Sequence, residues 1–147
     1  EFHMWRSPLI AAFALAACSQ PNAASAAKEA SPPQARQDIT AACAGGITGG
    51  GQGVTIRPDN HVIRWSSAGA SGVRTERDLG ADPVFATEVR RQLDAIHFSA
   101  METHDAGNMT CSLSLGSHEV SWSLGDPHAP SDVVALHDLV STADGAE

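Results

Sequence analysis

The sequence predicts an α+β domain: a mainly antiparallel sheet of four or five strands with two helices on one face. Three observations carry this. Short stretches of alternating apolar and polar residues recur, each bounded by Gly, Pro, Asn or Asp, as strands and their turns require. Two other stretches space their apolar residues at helical intervals: Phe85, Val89, Leu93 and Ile96 in one, Val133, Leu136 and Val140 in the other. The order is strands, helix, strands, helix, and two hairpins in one sheet with both helices covering one face is the simplest way to bury every apolar stripe. A small β-barrel with peripheral helices is the second architecture the pattern admits.

The chain opens with residues that do not belong to that fold. Glu1-Phe2-His3 before Met4 reads as a cloning remnant. Arg6, the apolar run Pro8 to Ala14 and the small residues after it follow the plan of a signal peptide. The run is too short for a membrane span, which takes about 20 residues. Leu15-Ala16-Ala17-Cys18 resembles the lipobox of bacterial lipoproteins. The resemblance implies cleavage before Cys18, a diacylglyceryl group on its sulfur and membrane attachment through that lipid. Ser19 beside it implies transport to the outer membrane, facing the periplasm. Residues 18–37, rich in Ala, Ser, Pro and Gln without an apolar period, read as a flexible tether. One domain is expected over 38–142, with 143–147 as a tail.

Within the domain, Asp38 to Ala44 reads as a strand ending in the glycine-dense loop Gly45 to Gly53. Val54 to Arg57 and His61 to Ser66 follow as strands joined by Pro58-Asp59-Asn60, all turn formers. Val73 to Leu79 is a more polar strand. Asp82-Pro83 places a capping carboxylate before proline in a first helical turn. Met109, Cys111, Leu113 and Leu115 alternate, Gly116-Ser117 turns the chain, and Val120, Trp122 and Leu124 alternate on the way back, a strong hairpin signal. Asp126 to Pro130 breaks the chain, and Ser131 caps the last helix. His61-x-x-x-Trp65-Ser66 is echoed by His118-x-x-x-Trp122-Ser123, with Ile56 matching Leu113, Ile63 matching Val120 and Val54 matching Cys111. This suggests a ββα unit used twice.

Charge narrows the function. With 9 Lys and Arg against 17 Asp and Glu, the net charge is -8, and acidic residues are scattered singly. Such a chain repels phosphates, which argues against nucleic-acid binding. Of three cysteines, Cys18 is assigned to the lipid, leaving Cys43 and Cys111 as one expected disulfide in an oxidising compartment. Their spacing is not the Cys-x-x-Cys of a reactive thiol pair.

Candidate chemistry is sparse. Six histidines lie in the mature chain (His61, His97, His104, His118, His128 and His137), none at zinc-ligand spacing, so they read as surface residues and neither metal nor cofactor is expected. The neighbours His137 and Asp138 are expected to point apart. No Gly-x-Ser-x-Gly or Ser-x-x-Lys occurs, and Glu88, Asp94, Glu102, Asp105 and Asp126 form no recognisable dyad, so no catalytic residue is assigned. Trp65 and Trp122 are expected in the core; exposed together on the open sheet face, they would form a binding platform.

The loop Gly45-Gly46-Ile47-Thr48-Gly49 lacks the Gly-Lys-Ser/Thr ending of a phosphate loop. Cys43-Ala44-Gly45-Gly46-Ile47-Thr48-Gly49, followed by strand, Asp-Asn turn, strand and helix over residues 39–99, resembles the start of emfourin-type inhibitors of thermolysin-like metalloproteases. It is also similar to bacterial lipoproteins with a Gly-Gly-aromatic-x-Gly loop; here Ile47 stands at the aromatic position. The expectation is a non-enzymatic protein-binding lipoprotein whose loop, Gly45 to Gly49, contacts a partner, in the sharpest form a secreted or periplasmic hydrolase. The alternative is a structural lipoprotein that supports an envelope assembly through its open sheet face.

Overall fold

A computed structural model describes residues 36–69, 72–104 and 107–144. The expected signal peptide, Cys18, nearly all of the tether and residues 145–147 lie outside the described residues. The elements are β1 (Ile39–Gly45), β2 (Gly50–Ile56), β3 (His61–Ser67), β4 (Arg74–Ala81), α1 (Pro83–Ala95), a 3-10 turn (Phe98–Ala100), β5 (Met109–Leu115), β6 (His118–Ser123) and α2 (Ser131–Ser141). All strand pairs are antiparallel, in one sheet of six strands ordered β4-β3-β2-β1-β5-β6.

The α+β class and the antiparallel sheet agree with expectation; the number of strands does not. Six form rather than four or five, because β1 and β4 give a weak apolar pattern. β1 carries Ala41 and Ala42, and β4 is almost wholly exposed, with Arg74, Glu76 and Arg77 along it. Pairing with neighbours holds them in place. The linear order leaves β4 and β6 as edges, so the sheet is open and not a barrel. Residues 103 and 104 shield the β6 edge: the His104 amide donates to Ser121 O at 2.9 Å, and Thr103 Oγ1 donates to Glu119 O at 2.8 Å.

Register decides what faces the helices. Ala41 stands opposite Val54 and Leu113, and Leu113 opposite Val120. These side chains, with Ile39, Ile56 and Trp122, form one buried cluster with Ala86, Val89 and Leu93 of α1 and Val133, Leu136 and Val140 of α2. Both helices therefore cover the same face. α1 starts as its sequence dictates, with Asp82 Oδ1 accepting from the Phe85 amide at 2.9 Å and Pro83 in the first turn. α2 does not: Ser131 is its first helical residue, Pro130 holds the cap position, and no side chain caps it.

The proposed equivalence of the two hairpins fails at their second strands. Pro58-Asp59-Asn60 puts three residues between Arg57 and His61, whose backbones pair across the turn, with Asn60 in the left-handed region (φ 71). Gly116-Ser117 inserts two, Leu115 pairing directly with His118. One extra residue reverses side-chain facing along a strand. Ile56 consequently pairs with Val62, and Ile63 and Trp65 point away from the helices, whereas Val120 and Trp122 point toward them. The two tryptophans lie on opposite faces and form no common platform. Trp122 is buried in the core. Trp65 is half-buried on the other face, over Gly53, where a Cβ would come within 2.7 Å of its ring, and under the Arg74 guanidinium at 4.2 Å.

Two measurements check this packing. Leu113 is fully buried, so Leu113→Ala lowers unfolding free energy by about 2–5 kcal/mol in chemical denaturation. On α1, hydrogen bonds from Arg91 and then Gln92 draw the Glu88 carboxyl from the usual 4.5 to about 2. Because the folded value is depressed, this interaction is in place above the unfolded pKa of 4.5 and fades as pH falls toward 2. An NMR titration is expected to give a Glu88 midpoint near 2, moving toward 4.5 in Arg91→Ala.

Candidate functional site

Two features stand out, and β1 supplies part of each. At the far end of β1 the chain reverses through Gly46-Ile47-Thr48-Gly49, closed by the Gly49 amide on Gly46 O at 3.1 Å. The turn is braced on the β5 side by the Gly46 amide, which donates to Asn108 O at 2.8 Å. Gly45 has φ +118, and a Cβ there would come within 2.1 Å of Asn108 O, so the position admits only glycine. The expected nine-residue loop is thus shorter. Gly50, Gly51 and Gly53 are strand residues of β2, and only 46–49 form the turn.

Of the expected contact residues, Gly45 ends β1, Gly46 and Gly49 shape the turn, and Ile47 and Thr48 are displayed at its tip. Ile47 is fully exposed, at 103%. It has company that the sequence pattern concealed. Val73 precedes β4, Met109 begins β5 and Leu124 follows β6, all at the same end of the sheet, and all three are exposed. Leu124 was expected to alternate into the sheet, but β6 ends one residue earlier. Four of the six exposed large apolar side chains among the described residues therefore line one end of the sheet. Asp38, where the domain begins, precedes β1 at the opposite end.

The second feature lies two residues below the turn. Antiparallel register sets Cys43 of β1 opposite Cys111 of β5, with Cα atoms 4.0 Å apart, and the two form a disulfide. This is the expected pair, and it joins neighbouring strands. Cys111 is buried, while Cys43 is half-buried. From α2, His137 reaches the same point, its Nε2 3.5 Å from Cys43 Sγ and 3.3 Å from Ala42 O. Its ring stands edge-on to Trp122, with centroids 5.3 Å apart.

The expectation that all histidines are superficial is overturned at His137, which is 6% exposed. Asp138 does not point away from it either: Asp138 Oδ1 lies 3.2 Å from His137 Nδ1. Sequence spacing missed this cluster because its members come from β1, β5 and α2. The faint signal was position. His137 stands four residues after Val133 and three before Val140, on the same buried stripe of the helix as Leu136.

A cavity of about 460 Å3 opens beside this cluster, between the end of α2 and the β2–β4 wing of the sheet. Cys43 and His137 line it at one side. Gln52, Ser66 and Thr75 form one cross-strand row of its wall, and Arg64 and Arg77 another. Arg64 Nη2 donates to Ala143 O at 2.6 Å and meets Asp144 at 3.3 Å. Elsewhere on the sheet, Asp78 is held below the usual carboxylate range, first by the Gly80 amide and then by His61 Nδ1 at 2.9 Å.

No known protein-family model and no curated protein matches the sequence. The Cys43–Cys111 bridge closes a loop with a sequence separation of 68. Replacing both cysteines by serine is expected to cost about 2–5 kcal/mol of stability, read by denaturation under oxidising conditions. Under reducing conditions most of the difference is expected to vanish, leaving the cost of a hydroxyl at the buried position 111.

Proposed function

We propose that the chain is an exported bacterial lipoprotein, anchored through Cys18, whose folded domain is a non-enzymatic protein-binding module. In its sharpest form the partner is a secreted or periplasmic metalloprotease, inhibited through the turn around Ile47. One observation carries the reading: Ile47 stands fully exposed at the tip of a tight turn whose base is clamped by the Cys43–Cys111 bridge. A rigid, preformed tip loses little conformational entropy on docking. Val73, Met109 and Leu124 extend the apolar surface along the same end, as a protein-contact surface requires.

Polarity supports the arrangement. The domain begins at Asp38, at the other end of a strand about 20 Å long. The tether therefore joins the domain at the end of β1 opposite the apolar tips, and its attachment does not cover them. Among the described residues no helix is long and apolar enough to cross a membrane. The likeness of residues 39–99 to emfourin-type inhibitors points to thermolysin-like enzymes as the first targets to try.

The assembly reading places contacts instead on the sheet face away from the helices. That face carries Thr40 and Thr55, whose hydroxyls meet at 3.0 Å, and the Arg74–Glu76 ion pair, with Trp65 already covered by Arg74. Its polar side chains are largely engaged with one another, which favours the turn as the contact surface.

The test measures hydrolysis by a thermolysin-like protease in the presence of the purified chain. Inhibition is expected, and Ile47→Asp is expected to weaken it about thirty-fold or more, the effect of losing a central contact worth about 2 kcal/mol. Ser112→Arg, on the open face, is expected to leave it intact. Full protease activity at micromolar excess of the chain removes the inhibitor reading. Loss through Ser112→Arg but not Ile47→Asp moves the contact to the open face.

A further inference from the structure

The cluster around the disulfide has the composition and spacing of a metal centre once its bridge is opened. Cys43 Sγ, Cys111 Sγ and His137 Nε2 lie within 4.8 Å of one another. In a tetrahedral zinc site with Zn–S about 2.3 Å and Zn–N about 2.0–2.1 Å, sulfur and nitrogen ligands stand about 3.6 Å apart. Cys43 Sγ and His137 Nε2 are already 3.5 Å apart. The remaining change is separation of the two sulfurs, which side-chain rotation on neighbouring strands supplies after reduction.

Three further features fit a bound ion. Asp138 Oδ1, at 3.2 Å from His137 Nδ1, is placed to hold a proton on Nδ1 when a metal takes Nε2, the orientation that carboxylate–histidine–zinc sites use; metal binding would replace the present contact of Nε2 with Ala42 O at 3.3 Å. Helix α2 and the packing against Trp122 fix the ring. The cavity touches Cys43 and His137, giving the ion an entry path and leaving a fourth coordination position open to water or a small ligand.

We propose that the reduced chain binds one Zn2+ through Cys43, Cys111 and His137, so that the same two sulfurs serve as a bridge when oxidised and as metal ligands when reduced. A dithiol reductant gives two electrons and two protons to the bridge and is itself oxidised to a disulfide. Zinc then displaces both thiol protons. The ligands are distinct from the turn residues at Ile47, although opening the bridge also releases the clamp at the base of that turn.

The experiment uses the full chain, reduced with dithiothreitol, freed of it under anaerobic conditions and titrated with Co2+ and then Zn2+. One Co2+ per chain with a thiolate-to-cobalt charge-transfer band is expected, displaced by one equivalent of Zn2+, and the oxidised chain is expected to show no band. His137→Ala is expected to lose or alter the band. Asp138→Asn changes a side chain that is 71% exposed, so folding is preserved, and is expected to weaken zinc binding about 10–100-fold. A reduced chain that gives no cobalt band, or variants at both positions that bind as the wild type does, overturns the proposal.

Discussion

Everything in the domain leans on the pairing of β1 with two partners. It is the only strand joining the β2–β4 wing to the β5–β6 hairpin, and its register with both places Ile39 and Ala41 under the helices. Ala41 matters through its size. A small residue between Val54 and Leu113 leaves room for the larger side chains of the facing helices. The disulfide then fixes β1 against β5 near the end where the chain must reverse tightly. Removing that pairing would separate the sheet into a three-stranded wing and a two-stranded hairpin, the latter marginal on its own.

The same strand brings two unlike features close together. Displayed apolar tips and a buried sulfur–imidazole cluster are separated by only a few residues of β1, and α2 reaches the cluster through His137. The polar cavity wall exists because the helices cover the sheet unevenly: Arg64, Ser66, Thr75 and Arg77 share the helix-facing side with the core but stay exposed, beyond the reach of the apolar stripe of α2.

The helices and the β5–β6 hairpin were legible because each advertises itself locally, through the period of Phe85 to Ile96 and the alternation of Met109 to Leu115. The cysteine pair followed from elimination. What stayed hidden depends on distant partners. β4 is exposed and charged, so its sequence marks only a weak, polar strand, and its bonds to β3 hold it in the sheet. The glycines of β2 resemble a loop until Trp65 is seen lying on Gly53. His137 meets Cys43 across a sequence separation of 94, which no spacing rule reaches. The row of Ile47, Val73, Met109 and Leu124 is assembled from four separate chain reversals or strand ends, and only topology puts them on one end.

The turn between β2 and β3 acts as a parity switch for half the molecule. With three residues, Pro58 to Asn60, it sends Arg64 and Ser66 to the helix side and Trp65 outward. With two, as in the β5–β6 turn, Trp65 would enter beneath the end of α2 as Trp122 does, and the guanidinium would go outside. Which β3 side chains line the cavity is therefore set by the count of residues in a surface turn as well as by their identity. Removing one residue there would turn Ile63 and Trp65 toward the helices in place of Arg64 and Ser66.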